Sequence, residues 1–513
     1  MNRPELLLDN AVVLPRPGEE RTFDAIAVGR GRVIALGDVA RAVAGPATRR
    51  LDLGGATVLP GFIDAHTHLP EFGLWLSYVD LGPADSLDDC LTRIAAERFT
   101  TAAEEWLVGR SWDESRWPDG RMPTRHDLDR TVPDRPVLLM RVDMHMGVVN
   151  SAGLARLGLR ETDFPEGHLI EAPFLAACEA LRPSRERQLA ALEQAITACW
   201  AEGVTTVHST LSPGDFHLLQ RARQQGGLGV RVTGYMRTGG LAALETLGLG
   251  SGFGDDRLRL GGVKVFLDGS VGARSAAFGA PYADAPVHQG ELLYAPEEFT
   301  DLMRRCGDAG LQPAVHSIGD RATATALAGF REAGLAKRVR PRLEHAEFFA
   351  PGEIEQAAGL GAVASCQPNF VGEWGRPGGL YEQRLGRERA AAGNPYRWMV
   401  EAGLRLAFGS DHMPFGPRNG LHWAIHGPYP EQRLTPHEAL HAYTTGAAFA
   451  GGEEASRGAL LPQMDADLVV LDGDPRAAGA DLRTMPVKLT MVAGRIVHDP
   501  AQLAHHHGTS PHG

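Results

Sequence analysis

The chain has 513 residues, with 51 Lys and Arg against 63 Asp and Glu, for a formal net charge of −12. Hydrophobic residues make up 43% and charged residues 22%, a globular composition that excludes a disordered or fibrous chain. The length suits about three domains, or one large barrel with additions, and an acidic chain with no basic block is a poor general nucleic-acid binder.

Residues 1–58 carry short β-rich runs, LLLDNAVVLP, FDAIAVGRGRVIALG and RRLDLGGATVLP, split by Gly, Asp and Pro. VGRGRVIALG predicts a hairpin turning at Gly-Arg-Gly. Between residues 59 and 455, short apolar runs alternate with helix-like segments. The runs are TVLPGFIDAH, RPVLLMRVDMH, GVTTVHST, LGGVKVFLDGS, LQPAVHS, PRLEHAE, GAVASCQP and LRLAFGSDH. Amphipathic segments such as PEEFTDLMRRCGDAG and TPHEALHAYTTGAAFAG lie between or after them. Near-continuous apolar strands separated by such helices indicate a parallel sheet buried on both faces, and about eight of them suggest a closed (β/α)₈ barrel. ADLVVLDGDP and VKLTMVAGRIVHDP, within 456–500, are β-rich again and can join the N-terminal runs in one small sheet. Residues 501–513 read as a flexible His-rich tail.

Several runs end in a metal-capable or titratable group: His66 and His68, Lys264 and Asp268, His316, His345, and Asp411. A barrel carries its chemistry at the C-terminal ends of its strands. Residues i and i+2 of a strand share a face, so His66 and His68 can grip one ion. Each group also has a bland reading. Two histidines near a turn can be incidental, a lone strand-end His is commonly hydrogen-bonded structure, and Gly-Ser-Asp is commonly a turn. The ordered set, each member on its own apolar run, favours a metal site.

Five cysteines are dispersed with no C-x-x-C pair, which fits neither a disulfide framework nor a thiolate zinc site. No signal-peptide core or long apolar span is visible, so the expected compartment is the cytoplasm, with no membrane partner.

PGFIDAHTHL, VKVFLDGS, AVHSIGDRA, RLEHAE, SCQP and AFGSDHMP resemble the amidohydrolase superfamily. GRSWDESRWPDGRMPTRHDLD, DMHMGVVNSAGL, LTPHEALHAYTTGAA and DADLVVLDGDP are similar to its amidohydrolase family 3, the group that includes N-substituted formamide deformylases. The resemblance covers almost the whole chain. It implies an α/β fold, a (β/α)₈ TIM barrel over 59–455 with a small β-sandwich domain built from 1–58 and 456–500. It also implies two divalent ions, usually zinc. His66, His68 and Asp411 would hold the first and His316 and His345 the second, with Lys264 bridging them as a carbamate. The alternative for Lys264 is a free amine paired with Asp268. The activity implied is hydrolysis of the carbon–nitrogen bond of a small-molecule amide, with Asp411 both ligand and proton shuttle.

Other candidates have less specific signals. His145, in RVDMHMGVVNS, is a catalytic candidate read as contacting the substrate oxyanion, against ordering a loop, and His208, ending GVTTVH, is one read as contacting substrate or supporting a ligand residue from behind. Asp320 is read as a helix cap that also bonds a ligand histidine. Trp112, Trp117, Trp374 and Tyr381, with Asp268, are candidates to shape a substrate pocket, against simple space filling. His412, His422 and His426 read as loop structure. The rival functions are a deaminase of an aminated heterocycle, a lactone or phosphoester hydrolase, and a metal-binding barrel without catalysis. Barrels of this size commonly form homodimers, but nothing in the patterning marks an interface.

Overall fold

The computed structural model describes residues 3–99, 105–142, 146–170, 172–181 and 183–503. Eight parallel strands follow one another in chain order: β1 (Phe62–Thr67), β2 (Val204–Leu211), β3 (Arg231–Arg237), β4 (Leu258–Phe266), β5 (Gln312–Ser317), β6 (Arg342–His345), β7 (Val363–Cys366) and β8 (Arg405–Phe408). β8 returns to β1, where the Asp411 N–H donates to the His66 carbonyl at 2.7 Å. Gly409 permits this closure, because a Cβ there would meet the His66 nitrogen at 2.3 Å. The architecture is a (β/α)₈ barrel.

The helix Pro296–Asp308 shows how the outer layer forms. Proline opens it, where no intrahelical N–H partner is needed. Phe299, Leu302, Met303 and Cys306, spaced i, i+3, i+4 and i+7, are its buried stripe. It stops at Gly310, whose φ of +63° is the left-handed conformation of a Schellman cap. There the Leu311 N–H reaches the Cys306 carbonyl at 2.9 Å.

Both ends of the chain build a β-sandwich. One sheet orders Arg32–Leu36, Ile26–Gly29, Leu6–Asp9 and Arg49–Asp52. The other orders Val12–Val13, Thr57–Pro60, Leu468–Leu471, Val487–Val492 and Arg495–His498. Their inner faces share one core, in which Leu8, Ile26 and Val28 meet Val58, Val470 and Met491. The hairpin read at VGRGRVIALG forms, with Arg30 (φ 51°) and Gly31 (φ 74°) both left-handed, as a two-residue primed turn demands.

The barrel does not occupy all of 59–455. Pro70–Ala195 forms a compact unit of its own. Its sheet orders His168–Ile170, Met146–Val149, Val137–Arg141, Leu107–Trp112 and Val79–Asp80. The run RPVLLMRVDMH, read above as a barrel strand, belongs to this sheet. The barrel strand it displaced from the count is β3, RVTGYMR. β3 escapes an apolar-run criterion because Arg231, Thr233 and Tyr235 all turn polar groups toward buried partners: Asp467, Glu453 and Gln312. Among the described residues, no helix is long and apolar enough to cross a membrane. Residues 504–513, most of the expected tail, lie outside the described residues.

Candidate metal centre

Side chains from the ends of β1, β4, β5, β6 and β8 converge at the C-terminal mouth of the barrel. His66, His345 and Asp411 offer ligand atoms that all lie within 4.8 Å of one another. His68 Nε2 is 3.3 Å from Asp411 Oδ1, and His66 Nε2 is 3.9 Å from it. The His316 ring lies 4.4 Å from that of His345, centroid to centroid, and Lys264 Nζ lies 3.4 Å from His66 Nε2. The structure therefore brings together all six residues read as ligands. The tightest trio draws His345 in with His66 and Asp411, a grouping that cuts across the ligand sets assigned above to separate ions.

Two departures from regular backbone make this convergence possible. Strand alternation would send Glu344 and His345 to opposite faces. At His345 φ is +70° and at Ala346 +49°, which turns the imidazole in beside its neighbours. Asp411 and His412 are left-handed as well, at +50° and +48°. Such strain persists only where the surroundings over-determine it. Here Asp64 accepts from the backbone N–H of His66 (3.1 Å) and Ser410 (3.0 Å), and from the Ser410 hydroxyl (2.5 Å). Asn369 Nδ2 donates to the carbonyls of Ser410 and Met413, each at 2.7 Å.

The hydrogen bonds assign tautomers. Arg342 binds Glu344 in a fork, Nε to Oε1 at 2.7 Å and Nη2 to Oε2 at 3.2 Å. Burial alone would raise the Glu344 carboxyl, but Arg342 and then His66 hold it well below the usual range. An ionised carboxylate only accepts, so His66 carries its proton on Nδ1, 2.5 Å from Glu344 Oε2. Its Nε2 lone pair is left for the site. His316 Nε2 sits 3.0 Å from the Gly269 carbonyl and must donate to it. The Nδ1 lone pair of His316 then has no donor, and Nδ1 of His345 is also buried without a partner. Burial pulls His316 down to about 3 and His345 well below its ordinary range, so both rings are neutral. Burial would raise Asp411, but the His68 hydrogen bond and the nearby histidines hold it well below. Burial lowers Lys264 to about 8. This donor set, imidazole lone pairs with a carboxylate, fits a divalent metal.

Several candidates take other roles. Lys264 is not paired with Asp268. The Asp268 oxygens accept from the backbone N–H of Ala277 (2.9 Å), Ile318 (3.1 Å) and Gly319 (2.9 Å), and Oδ1 lies 3.6 Å from His316 Nε2, so this carboxylate organises the loops behind that histidine. His208 is buried with both nitrogens engaged. Nδ1 accepts from Arg342 Nη1 at 3.0 Å, and Nε2 faces Glu453 Oε2 at 3.4 Å. With both nitrogens engaged it is placed for the supporting role and not for contact with substrate. Asp320 accepts from the Gly279 N–H at 2.7 Å and reaches no histidine, and the helix cap is Gly319. Trp112 is fully buried in the core of the 70–195 unit with Trp117, where it fills space. His145 lies outside the described residues.

Trp374 does sit near the centre. It packs on Phe370 at 4.4 Å between centroids, and the Phe370 ring stacks on His345 at 6.1 Å. Tyr381 is buried behind it, 6.4 Å from Trp374. His412 lies 5.8 Å from the His68 ring, while His422 faces Asp481 at 3.5 Å. Glu344, Arg342, Asp64, Ser410 and Asn369 escaped sequence reasoning. The one available signal was the alternation in R-L-E-H, which puts a charged pair on the interior face just before a ligand.

Comparison with known proteins adds family evidence. The profile described as Amidohydrolase family matches residues 49–498. YtcJ of Bacillus subtilis (strain 168) is 31% identical over 491 residues, covering 88% of this chain and 91% of its own. The N-substituted formamide deformylase of Arthrobacter pascens is 28% identical over 538 residues, covering 96% of this chain and 97% of its own. A crystal structure of an uncharacterized metal-dependent hydrolase from Pyrococcus furiosus superimposes with a TM-score of 0.82 at 30% identity, covering 92% of this chain and 100% of that one.

Proposed function

Because this chain belongs to the amidohydrolase family, we propose that it is a metal-dependent hydrolase that cleaves the carbon–nitrogen bond of a small, non-peptide amide, with zinc as its resident metal. The observation that carries this reading is the pair of buried, unpartnered Nδ1 atoms of His316 and His345 beside the convergent His66 and Asp411. A buried polar atom without a partner costs about 1–3 kcal/mol, and a neutral imidazole nitrogen is a good divalent-cation ligand.

His66, His68 and Asp411 would hold one ion, His316 and His345 a second, with Lys264 between them. Divalent ions bound there would supply Lewis acidity and lower the pKa of water to about 7. Burial of Lys264, with its pKa near 8, leaves a share of neutral amine at neutral pH. That amine adds to CO₂ and releases a proton, which turns a repelling cation into an anionic carbamate. Glu344 keeps the His66 proton on Nδ1. Asp411 accepts the proton of the attacking water on its carboxylate and passes it to the leaving nitrogen. Phe370 and Trp374 form an aromatic wall next to His345 and favour an apolar substituent on the substrate.

The deformylase relative puts N-substituted formamides first on the test panel. Zinc-loaded protein would be assayed on formamides, N-acyl amines, cyclic amides and carbamates, with matched esters, lactones and aminated heterocycles. Amide turnover that disappears on metal removal is the expected result. Ammonia release from heterocycles without amide cleavage would replace this reading with a deaminase. Metal binding with no turnover anywhere on the panel would leave a non-catalytic barrel.

A further inference from the structure

We infer that Arg342 is a positioning residue for the metal centre, acting on His66 through Glu344, and that His208 and Glu453 extend the same hydrogen-bonded line through the barrel interior. The inference rests on the reading of His66 as a metal ligand.

Arg342 opens β6 and is 1% exposed, yet every nitrogen of its guanidinium has a partner. Nε and Nη2 grip Glu344. Nη2 also reaches the Ala65 carbonyl at 2.7 Å and the Ser365 hydroxyl at 3.0 Å. Nη1 donates to the Tyr235 hydroxyl at 2.9 Å and to His208 Nδ1 at 3.0 Å. The guanidinium thus holds β1 twice, by the backbone of Ala65 and, through Glu344, by the ring of the next residue, His66. Either hold alone leaves a freedom the other removes. The carbonyl contact fixes the strand but not the ring, and the carboxylate fixes the ring only if its own orientation is set.

A buried ion pair carries a desolvation penalty that an apolar pair of similar volume avoids. What an apolar pair cannot do is dictate which imidazole nitrogen bears the proton. Glu344 does so because Arg342 fixes its carboxylate in a fork and its Oε2 is shared between Arg342 and His66. A lysine in place of Arg342 would keep the charge, but one ammonium cannot reach partners on β1, β2, β3, β6 and β7 at once.

The line continues away from the mouth. Arginine only donates, so His208 Nδ1 accepts, and its proton sits on Nε2 facing Glu453. Glu453 is anchored in turn by the Thr233 hydroxyl at 2.8 Å and Arg457 at 3.3 Å. Donor and acceptor directions are therefore set along the whole run Glu453, His208, Arg342, Glu344, His66. A perturbation at either end biases the orientation of the next group.

The test uses the full-length protein with Glu344→Gln, Arg342→Lys, His208→Asn and His66→Ala. Zinc affinity is measured by competition with a chromogenic chelator, and the His66 tautomer by ¹⁵N-histidine NMR of the metal-free protein. The expected result is a loss of roughly 10–100-fold in zinc affinity for Glu344→Gln and Arg342→Lys, a smaller loss in the same direction for His208→Asn, and a His66 signal that no longer reads as Nδ1-protonated in the first two. A merely structural role would lower the melting temperature and leave the tautomer unchanged. If His66→Ala abolishes high-affinity zinc binding while Glu344→Gln and Arg342→Lys keep wild-type affinity and tautomer, the positioning role is overturned and the metal site stands. If His66→Ala itself keeps wild-type affinity, the site reading falls and takes this inference with it. Should the lysine variant not fold, Ser365→Ala and Tyr235→Phe, each removing one acceptor that aims the guanidinium, replace it with the same expected direction.

Discussion

Near the starts of β3, β5 and β6, the barrel interior is polar and its central groups answer one another. Gln312 donates to the carbonyls of Arg340 and Ala450 and accepts from Tyr235. Arg342, His208, Thr233 and Glu453 complete one another. At the opposite ends of the strands, His316 and His345 keep buried nitrogens with no partner. The first arrangement follows the rule that buried polar groups are hydrogen-bonded, and through Arg342 and Glu344 it also orients His66. The second is an arrangement that a bound cation would answer. The two ends of one barrel thus separate buried polarity that is answered from within from buried polarity that is left open, although both draw on the same residue types.

Four measurements would break or sharpen this contrast. At the mouth, Asp411→Asn should retain bound metal and lose roughly 10²–10⁴-fold in kcat. A folded, metal-loaded variant with near-normal kcat would remove Asp411 as the proton carrier. At the other end, Glu453→Ala leaves His208 and Thr233 unanswered and strips Arg457 of a counter-charge. Breaking a buried ion pair in this way costs about 3–5 kcal/mol, read as a shift in the denaturation midpoint with kcat much less affected than in Asp411→Asn.

Metal should stabilise the mouth alone. At a hundredfold excess over Kd it adds about 2.7 kcal/mol, and His345→Ala should lose that increment in thermal melts. An equal increment in the variant would mean that the metal binds elsewhere.

The smallest expected effect is in pH. In metal-free protein, His316 titrates near 3 when folded against 6.5 when free, so protonation of the unfolded chain favours unfolding as pH falls below 6.5. Burial would raise Glu453, but His208 and Arg457 hold it at about 2, so its contribution is full above 4.5 and fades as pH falls toward 2. Denaturation between pH 7.5 and 3 should show two slopes. His316→Asn should flatten the upper one and Glu453→Gln the lower one. A single acid transition unchanged by either variant would contradict the division.

Much of the group that converges at the barrel mouth was legible in the sequence. His66, His68, Lys264, His316, His345 and Asp411 each lie in or at the end of a short apolar run, and period-two alternation with strand order is local information that a linear chain carries in full. The sandwich hairpin at Arg30 and Gly31 was legible for the same reason, because turn chemistry needs only adjacent residues. β3 was not, since its polar face is explained only by Asp467, Glu453 and Gln312, far away in the chain. The independent unit at Pro70–Ala195 was hidden because its strands are as apolar as those of a barrel.

His208 was read as catalytic because it ends a strand-like run beside titratable company. Only the fold places Arg342 and Glu453 against its two nitrogens and closes them off. The left-handed turns at His345 and Asp411 are likewise tertiary decisions, since local preference disfavours them and Asp64, Ser410 and Asn369 hold the second in place. Alternation and turn residues are properties of neighbours along the chain, and the sequence alone determined what depends on them: which residue types stand at the strand ends. Hydrogen-bond partnership is a property of neighbours in space, and it was the tertiary structure that decided which of those residues are spoken for and which remain open to a ligand.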